Sequence, residues 1–127
     1  MRSTPSDLSR ELEEVLSAAR EEFIADLPAR ISKIDALLAD LGTPDLAPPD
    51  AAAAPVALRH EMHRIAGLCG TIGFTDLARD GARAEEILRP LATGAAAPQD
   101  ATRLGAAAEA VTRVRAGLLR AATPAGS

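Results

Sequence analysis

Aromatic side chains are almost absent from the 127-residue sequence, which contains only Phe23 and Phe74 and no tryptophan or tyrosine. Aromatic and β-branched residues favour strands, whereas the abundant alanine, leucine, arginine and glutamate fit a helix at little entropic cost. The composition therefore predicts an all-α protein. The length is typical of one domain, so we expect a single domain over residues 1–127.

Cysteine is limited to Cys69. A lone cysteine forms no disulfide within the chain and no multi-thiolate metal site. We therefore expect a core held together by packed leucine, isoleucine, valine and alanine. Cys69 falls among the apolar positions of a predicted helix, which indicates a small buried thiol and not a reactive one.

Long apolar runs and basic clusters are also missing. No segment approaches the roughly 20 apolar residues of a membrane-spanning helix, and residues 1–7 lack the apolar stretch of a secretory signal. We therefore expect a cytoplasmic protein without a membrane partner. The net charge is −4, and the sequence has no cluster of basic residues of the kind that binds phosphate backbones. We therefore expect no nucleic-acid partner. The two glycine-rich phosphate-binding motifs, G-x-x-x-x-G-K-[ST] and G-x-G-x-x-G, are both missing from the sequence. We therefore expect that this chain has no ATP site of its own.

Apolar residues at helical spacing predict helices over residues 5–41, 55–72, 75–89 and 98–121. The first carries a stripe from Leu12 to Leu41 that we expect to be buried. Pro28 lacks an N–H group, which predicts a break there, with a short helix before it and a longer one after it. Short connections favour antiparallel neighbours. The expected fold is an up-and-down four-helix bundle with an additional short or kinked N-terminal segment.

Local signals predict where these helices begin and end. Thr4 is expected to cap the first helix and Gly42 to end it, before a proline-rich loop over residues 42–54. Gly73 is expected to end the second helix. Thr75 is expected to cap the third helix, which is expected to stop near Pro90.

The predicted second helix carries both histidines of the chain, His60 and His63. At about 100° per residue, His63, Gly67 and Gly70 form one row beside the apolar stripe. Glycine inside a helix costs roughly 0.5–1 kcal/mol relative to alanine. Two glycines below one imidazole therefore indicate a space kept open for an approaching partner. The alternative is that they only allow a neighbouring helix to pack closely.

A count along the chain relates His63 to an acid on the next helix. In an antiparallel hairpin that turns at Phe74, the residue 11 positions before the turn lies opposite the residue 11 positions after it, which pairs His63 with Glu85. A carboxylate that accepts from one imidazole nitrogen leaves the other as a nucleophile or ligand. The alternative for Glu85 is a solvated surface acid. A metal site on His60 and His63 lacks a clear third ligand.

Residues 63–73 resemble the motif of the histidine phosphotransfer domain, a four-helix phosphocarrier of two-component phosphorelays. The family motif reads His-x-Leu/Ile-Lys-Gly, followed by small residues and a glycine; here it reads HRIAG and then LCGTIG. The continuation over residues 73–77, GFTDL, resembles the phosphotransfer domain that opens chemotaxis-type histidine kinases. The acidic position of the family on the next helix falls on Glu85.

The resemblance implies that His63 is the phosphoacceptor, that Gly67 leaves room for the partner and that Glu85 orients the imidazole. The implied partners are a histidine kinase or hybrid kinase and the receiver domain of a response regulator. Mg²⁺ and ATP are expected on those partners, and no cofactor is expected on this chain. The implied partner-binding residues are Arg59, His60, Gly67, Leu68, Gly70 and Thr71.

The chain departs from the family pattern where the lysine three residues after the histidine is replaced by Ala66. Arg64 is one candidate to stabilise the phosphate, and Arg59 is another. Ala66 also supports a second hypothesis, a docking or inhibitory module that binds a receiver or kinase without phosphotransfer. Ala84 replaces the usual leucine on the third helix, which should affect packing.

A third hypothesis is an alanine-rich bundle that serves only for dimerisation. The fourth predicted helix exposes several arginines and has no obvious second apolar seam, which favours a monomer.

Overall fold

All regular structure is helical in the computed structural model, which describes residues 5–42, 52–97 and 99–123. The helices of this part of the chain are α1 (Pro5–Ala25), α2 (Leu27–Leu41), α3 (Ala53–Ile72), α4 (Thr75–Thr93) and α5 (Ala101–Ala122). Helices α2 to α5 form a ring in which α2 and α4 each contact both α3 and α5. Helix α1 precedes this bundle and packs on α2 and α3. The all-α four-helix bundle with an additional N-terminal segment is confirmed.

The core lies between α2, α3, α4 and α5 and consists of aliphatic side chains, as the scarcity of aromatics predicts. Helices α3, α4 and α5 bury residues three or four positions apart, and α2 buries residues seven apart, so each buries one helical face. Fully buried side chains include Leu27, Ile34, Leu58, Met62, Ile65, Leu88, Leu91, Val111, Val114 and Leu118. Burial of one such aliphatic side chain contributes roughly 1.5–3 kcal/mol to stability.

The break between α1 and α2 lies at Asp26, not at Pro28, and the longer helix comes before it. Helix α1 has 21 residues and α2 has 15. Pro28 lies in the first turn of α2, where its missing N–H group has no intrahelical acceptor to lose. The backbone N–H of Asp26 donates to the Glu22 carbonyl at 3.1 Å, and that of Arg30 donates to the Asp26 carbonyl at 3.1 Å. The two helices are therefore almost continuous.

The apolar stripe of α1 is buried only in its second half. Phe23 is buried and Ala19 packs against the core. Leu12, which was predicted to be buried, is 58% exposed. Leu8 and Val15 are exposed as well. The period of a stripe shows which residues share a face, but it does not show whether another helix covers that face.

Two predicted boundaries of α4 are wrong. Phe74 is the N-cap and Thr75 is already helical, with no side-chain hydrogen bond at the cap. At the other end the helix continues through Pro90 to Thr93. Leu91 is buried in the core, and this burial holds the last turn in place despite the cost of the proline.

The remaining boundaries follow the sequence more closely. Helix α2 ends just before Gly42 and α3 just before Gly73, as predicted. Helix α5 begins at Ala101, three residues later than predicted, because Asp100 is its N-cap and accepts from the Arg103 backbone N–H at 3.1 Å. Helix α3 begins at Ala53, two residues earlier than predicted, so the last two positions of the predicted loop over residues 42–54 are helical. The predicted cap Thr4 and most of the rest of that loop lie outside the described residues.

Candidate functional site

Helix α3 has a buried side and an exposed side. The buried side includes Leu58, Met62, Ile65, Cys69 and Ile72, which recur at helical spacing. His63 lies on the exposed side, and 73% of its side chain is accessible. The imidazole is therefore open to a second molecule.

Glu85 on α4 holds the imidazole of His63 at one nitrogen. His63 Nδ1 lies 3.1 Å from Glu85 Oε1 and 3.2 Å from Glu85 Oε2. An ionised carboxylate only accepts hydrogen bonds, so Nδ1 carries the proton and donates. The other ring nitrogen, Nε2, then keeps its lone pair and is available as a nucleophile.

A short connection brings the two side chains together. Gly73 and Phe74 join α3 to α4, and both of their backbone N–H groups donate to the Cys69 carbonyl, at 3.1 and 2.9 Å. Gly73 adopts φ +91°, a left-handed conformation that suits glycine. Because the turn is this tight, positions equally distant from it face each other across the helix pair.

Gly81 on α4 sets the close approach of the two helices. A Cβ atom at this position would lie 3.2 Å from both the Ala66 backbone nitrogen and the Met62 carbonyl oxygen. Sequence reasoning did not recognise this role. The small residue between Leu77 and Ala84 on the inner face was the available signal.

The two glycines below His63 lie in different surroundings. A Cβ atom added at Gly67 would have no other heavy atom within 4 Å, and one at Gly70 would meet only Ala78 Cβ at 3.9 Å. Close packing within the described chain therefore does not require glycine at position 67. The surface beside His63 is open at this point, as a docking partner would need.

The other predicted partner-binding residues border this surface. His60 is exposed and Leu68 is 43% exposed. The Thr71 hydroxyl donates to the Gly67 carbonyl at 3.0 Å, so this hydroxyl is already engaged on its own helix.

The two arginines near His63 differ in position. Arg59 is partly buried and lines a groove with His60, His63 and Glu85, whereas Arg64 is exposed and is not part of its lining. Ala66, at the position of the family lysine, lies beside the close approach of α4 at Gly81.

A buried acid on α3 was missed by sequence reasoning. Glu61 is only 3% exposed and accepts a hydrogen bond from Arg30 Nη1 at 2.7 Å, while Lys33 Nζ lies 3.4 Å from its other oxygen. The Arg30 guanidinium also lies 5.6 Å from the centre of the Phe23 ring. The only signal was the position of Glu61 next to Met62 in the core stripe.

The thiol of Cys69 lies in the core, as predicted. Burial raises the pKa of this thiol to about 11, against a smaller lowering by Arg30, so it stays protonated at neutral pH. Within the described residues, no three histidine, cysteine, aspartate or glutamate side chains are grouped as metal ligands would be. None of the helices described has the length and apolar character needed to cross a membrane.

Comparison with known proteins confirms the resemblance carried by the histidine motif. The family model of the Hpt domain matches residues 18–117, from the second half of α1 to the last part of α5. No curated protein and no solved structure gives a match. Hpt domains take part in two-component phosphorelays as phosphocarriers and interact with histidine kinases and receiver domains. The chain belongs to the histidine phosphotransfer (Hpt) domain family.

Proposed function

We propose that His63 accepts a phosphoryl group from a histidine kinase, hybrid kinase or phosphorylated receiver domain and passes it to an aspartate of a receiver. The observation that carries this proposal is the exposed imidazole whose Nδ1 lies 3.1 and 3.2 Å from the two oxygens of Glu85. This arrangement leaves Nε2 with its lone pair, on a ring that a partner can reach.

The chemistry requires no proton transfer by this chain. The Nε2 lone pair attacks the phosphorus of the donor, an N–P bond forms, and the P–O bond breaks with its electron pair on the donor carboxylate or on ADP. The ring gains positive charge while Nδ1 keeps its proton. The Glu85 carboxylate balances that charge through the hydrogen bond it already accepts. Transfer to a receiver aspartate reverses these bond changes.

The partner supplies the rest of the catalytic site in this proposal. ATP is bound by the kinase, and Mg²⁺ is held by the kinase or the receiver. This chain contributes the nucleophile, and the open surface at Gly67 admits the active site of the partner. The helix surfaces that surround His63 determine which partners this chain binds.

Replacing the acceptor tests the proposal directly. We expect His63→Gln to abolish phosphorylation by a cognate kinase with ATP and Mg²⁺, measured as added mass and acid-labile phosphate. Helix content and melting temperature should be almost unchanged, because the side chain is exposed. His60→Gln tests which histidine is labelled: it should still carry acid-labile phosphate, whereas its rate is not the readout, since His60 lines the groove beside His63. A His63→Gln protein labelled to the wild-type level would overturn the proposal.

The orienting role of Glu85 has a matched control on the same helix. We expect Glu85→Gln to slow phosphorylation about tenfold or more, the size of the effect when a metal-ligating histidine loses its orienting carboxylate. Glu86 is exposed and pairs with Arg89, so Glu86→Gln should leave the rate unchanged. Equal rates in the two variants would remove Glu85 from the mechanism.

The second candidate function is a docking or inhibitory module, and the alanine at position 66 favours it. The family lysine at that position supplies positive charge beside the acceptor, and Ala66 supplies none. This function predicts receiver binding that survives His63→Gln, together with no acid-labile phosphate on the wild-type protein after incubation with any donor.

A further inference from the structure

A groove of about 310 Å³ lies beside the imidazole of His63. The lining residues are Val56, Arg59, His60, His63, Glu85 and Ala92. All lining residues on α3 other than His63 precede it in the chain, so the groove lies on the N-terminal side of the imidazole.

Helix geometry directs the imidazole towards that side. Side chains on an α-helix lean towards its N-terminus, so the patch that His63 covers lies over the preceding turn, which contains Arg59. Arg59 is four residues earlier, about 6 Å along the axis and about 40° around it. A group attached to Nε2 is therefore within the working range of a flexible arginine side chain based at position 59.

The guanidinium of Arg59 is available for this role. It makes no hydrogen bond or ion pair with the part of the chain that the structure describes, although the residue is partly buried beside the groove. Guanidinium presents paired N–H groups that match phosphate oxygens and stays charged at all physiological pH values.

The other candidate cation is less well placed. Arg64 lies about 100° around the helix from His63 and does not line the groove. Position 66, where the family lysine would lie, is about 60° from His63 on the same side as Arg59. Arg59 and that lysine would therefore approach the imidazole from the same side of α3, one from each end.

We propose that this groove binds the oxygens of the phosphoryl group on His63, with the Arg59 guanidinium as the cation in place of the family lysine. The inference rests on the proposed function in taking His63 as the acceptor. Of the two candidate arginines, it assigns the phosphate-stabilising role to Arg59 and not to Arg64, and it places the phosphoryl group on the N-terminal side of the histidine.

Phosphoramidate tests the groove without any protein partner. Nε2 of His63 attacks the phosphorus, the new N–P bond forms, and the bond to the amine breaks, with ammonia as the leaving group. We would compare wild type, Arg59→Gln, Arg59→Lys and the matched control Arg64→Gln. The readouts are the labelling rate by intact mass, the ³¹P chemical shift of the phosphohistidine, and the melting temperature of each variant.

We expect Arg59→Gln to slow labelling about tenfold, the effect of one charge-assisted hydrogen bond, and to shift the ³¹P resonance. Arg59→Lys should recover part of the rate, because it keeps the charge and loses the planar fork. Arg64→Gln should change the rate less than twofold and leave the resonance in place. Equal rates and equal shifts in Arg59→Gln and Arg64→Gln would overturn the inference, as would a larger effect at Arg64.

The two proposals fail differently. If no kinase or receiver labels His63 but Arg59→Gln still slows labelling by phosphoramidate, the groove stands and the phosphorelay function is wrong. If protein donors label the wild type at His63 while Arg59→Gln matches the wild type with every donor, the function stands and the groove is wrong.

Discussion

Two carboxylates near α3 each bind a basic side chain, and they do so in opposite environments. Glu85 accepts from His63 at 3.1 Å on the surface, where 73% of the histidine side chain is accessible. Glu61 accepts from Arg30 at 2.7 Å, with only 4% and 12% of the two side chains accessible. The distances are similar, so burial makes the difference between the two pairs.

The comparison shows how one helix combines stability with reactivity. Even an exposed ion pair contributes only about 0–1 kcal/mol to stability, so a partner or a phosphoryl group can alter the exposed hydrogen bond between His63 and Glu85 without unfolding the protein. Breaking a buried pair leaves an uncompensated charge in the interior. The buried pair joins α2 to α3, and the exposed pair leaves the imidazole accessible for the proposed phosphoryl transfer.

The largest expected effect comes from breaking the buried pair. We expect Glu61→Gln to lower the free energy of unfolding by about 3 kcal/mol, because Arg30 loses its counter-charge inside the protein. The melting temperature should fall on the order of 10 °C. Urea denaturation followed by circular dichroism measures the free energy of unfolding, and thermal unfolding followed by the same signal measures the melting temperature.

The matched control for this change is Glu86→Gln, which breaks an exposed pair with Arg89. Its effect should stay below about 0.5 kcal/mol. A Glu61→Gln protein as stable as Glu86→Gln would contradict the comparison, since burial would then make no difference.

A smaller loss of stability is expected where α3 and α4 approach most closely. Gly81→Ala places a Cβ atom 3.2 Å from the Ala66 nitrogen and the Met62 oxygen, and neither backbone atom moves easily. We expect a loss of about 1–3 kcal/mol, the usual cost of overpacking. A slower phosphorylation of His63 should accompany it, because a displaced α4 also moves Glu85. A variant at least as stable as wild type would show that the helices separate freely.

The sequence predicts the exposed side of α3 better than its buried polar contacts. The apolar residues Leu58, Met62 and Ile65 recur at helical spacing, so the orientation of the helix follows from local pattern. The pairing of His63 with Glu85 follows from a count about the turn, because a two-residue connection leaves little freedom in register.

The buried pair was beyond this reasoning because it is non-local. Arg30 and Glu61 are 31 residues apart on different helices, and apolar periodicity contains no information about charged partners. The N-cap at Phe74 was missed for a related reason. Its ring packs against that of Phe23, with 5.7 Å between the ring centres. The local capping preference of Thr75 contains no information about this contact between distant residues.

The Cys69 thiol on the buried side of α3 makes the free energy of unfolding depend on pH in the alkaline range. Burial raises the pKa of Cys69 from 9.0 to about 11, so the folded state favours the protonated thiol. This contribution is complete below pH 9 and is lost as the pH rises towards 11, with a slope of at most about 1.4 kcal/mol per pH unit. Urea midpoints at pH 8, 9, 10 and 11 measure the loss.

Cys69→Ala is the control for this pH dependence. It removes the titrating thiol while Lys33, the only lysine of the chain, is retained in both proteins. We expect a lower but flatter stability profile for the variant between pH 9 and 11. Parallel profiles for the two proteins would place the pH dependence elsewhere.

The smallest expected effect is on the exposed side of α3, where the substitution should raise the free energy of unfolding instead of lowering it. Gly67→Ala places its Cβ atom in open space, so it should raise the free energy of unfolding by about 0.5–1 kcal/mol through helix propensity alone. Gly105 on α5 has equally open surroundings, and Gly105→Ala should stabilise the protein to the same degree.

Bulkier substitutions at these two glycines then separate stability from docking. Gly67→Gln and Gly105→Gln should have similar melting temperatures, since the Cβ atom added at either position lies in equally open surroundings. Only Gly67→Gln should slow phosphoryl transfer from His63 to a receiver, because Gly67 lies one turn from the imidazole on the surface that the partner must approach. Equal transfer rates in the two variants would show that the open space beside His63 serves no partner.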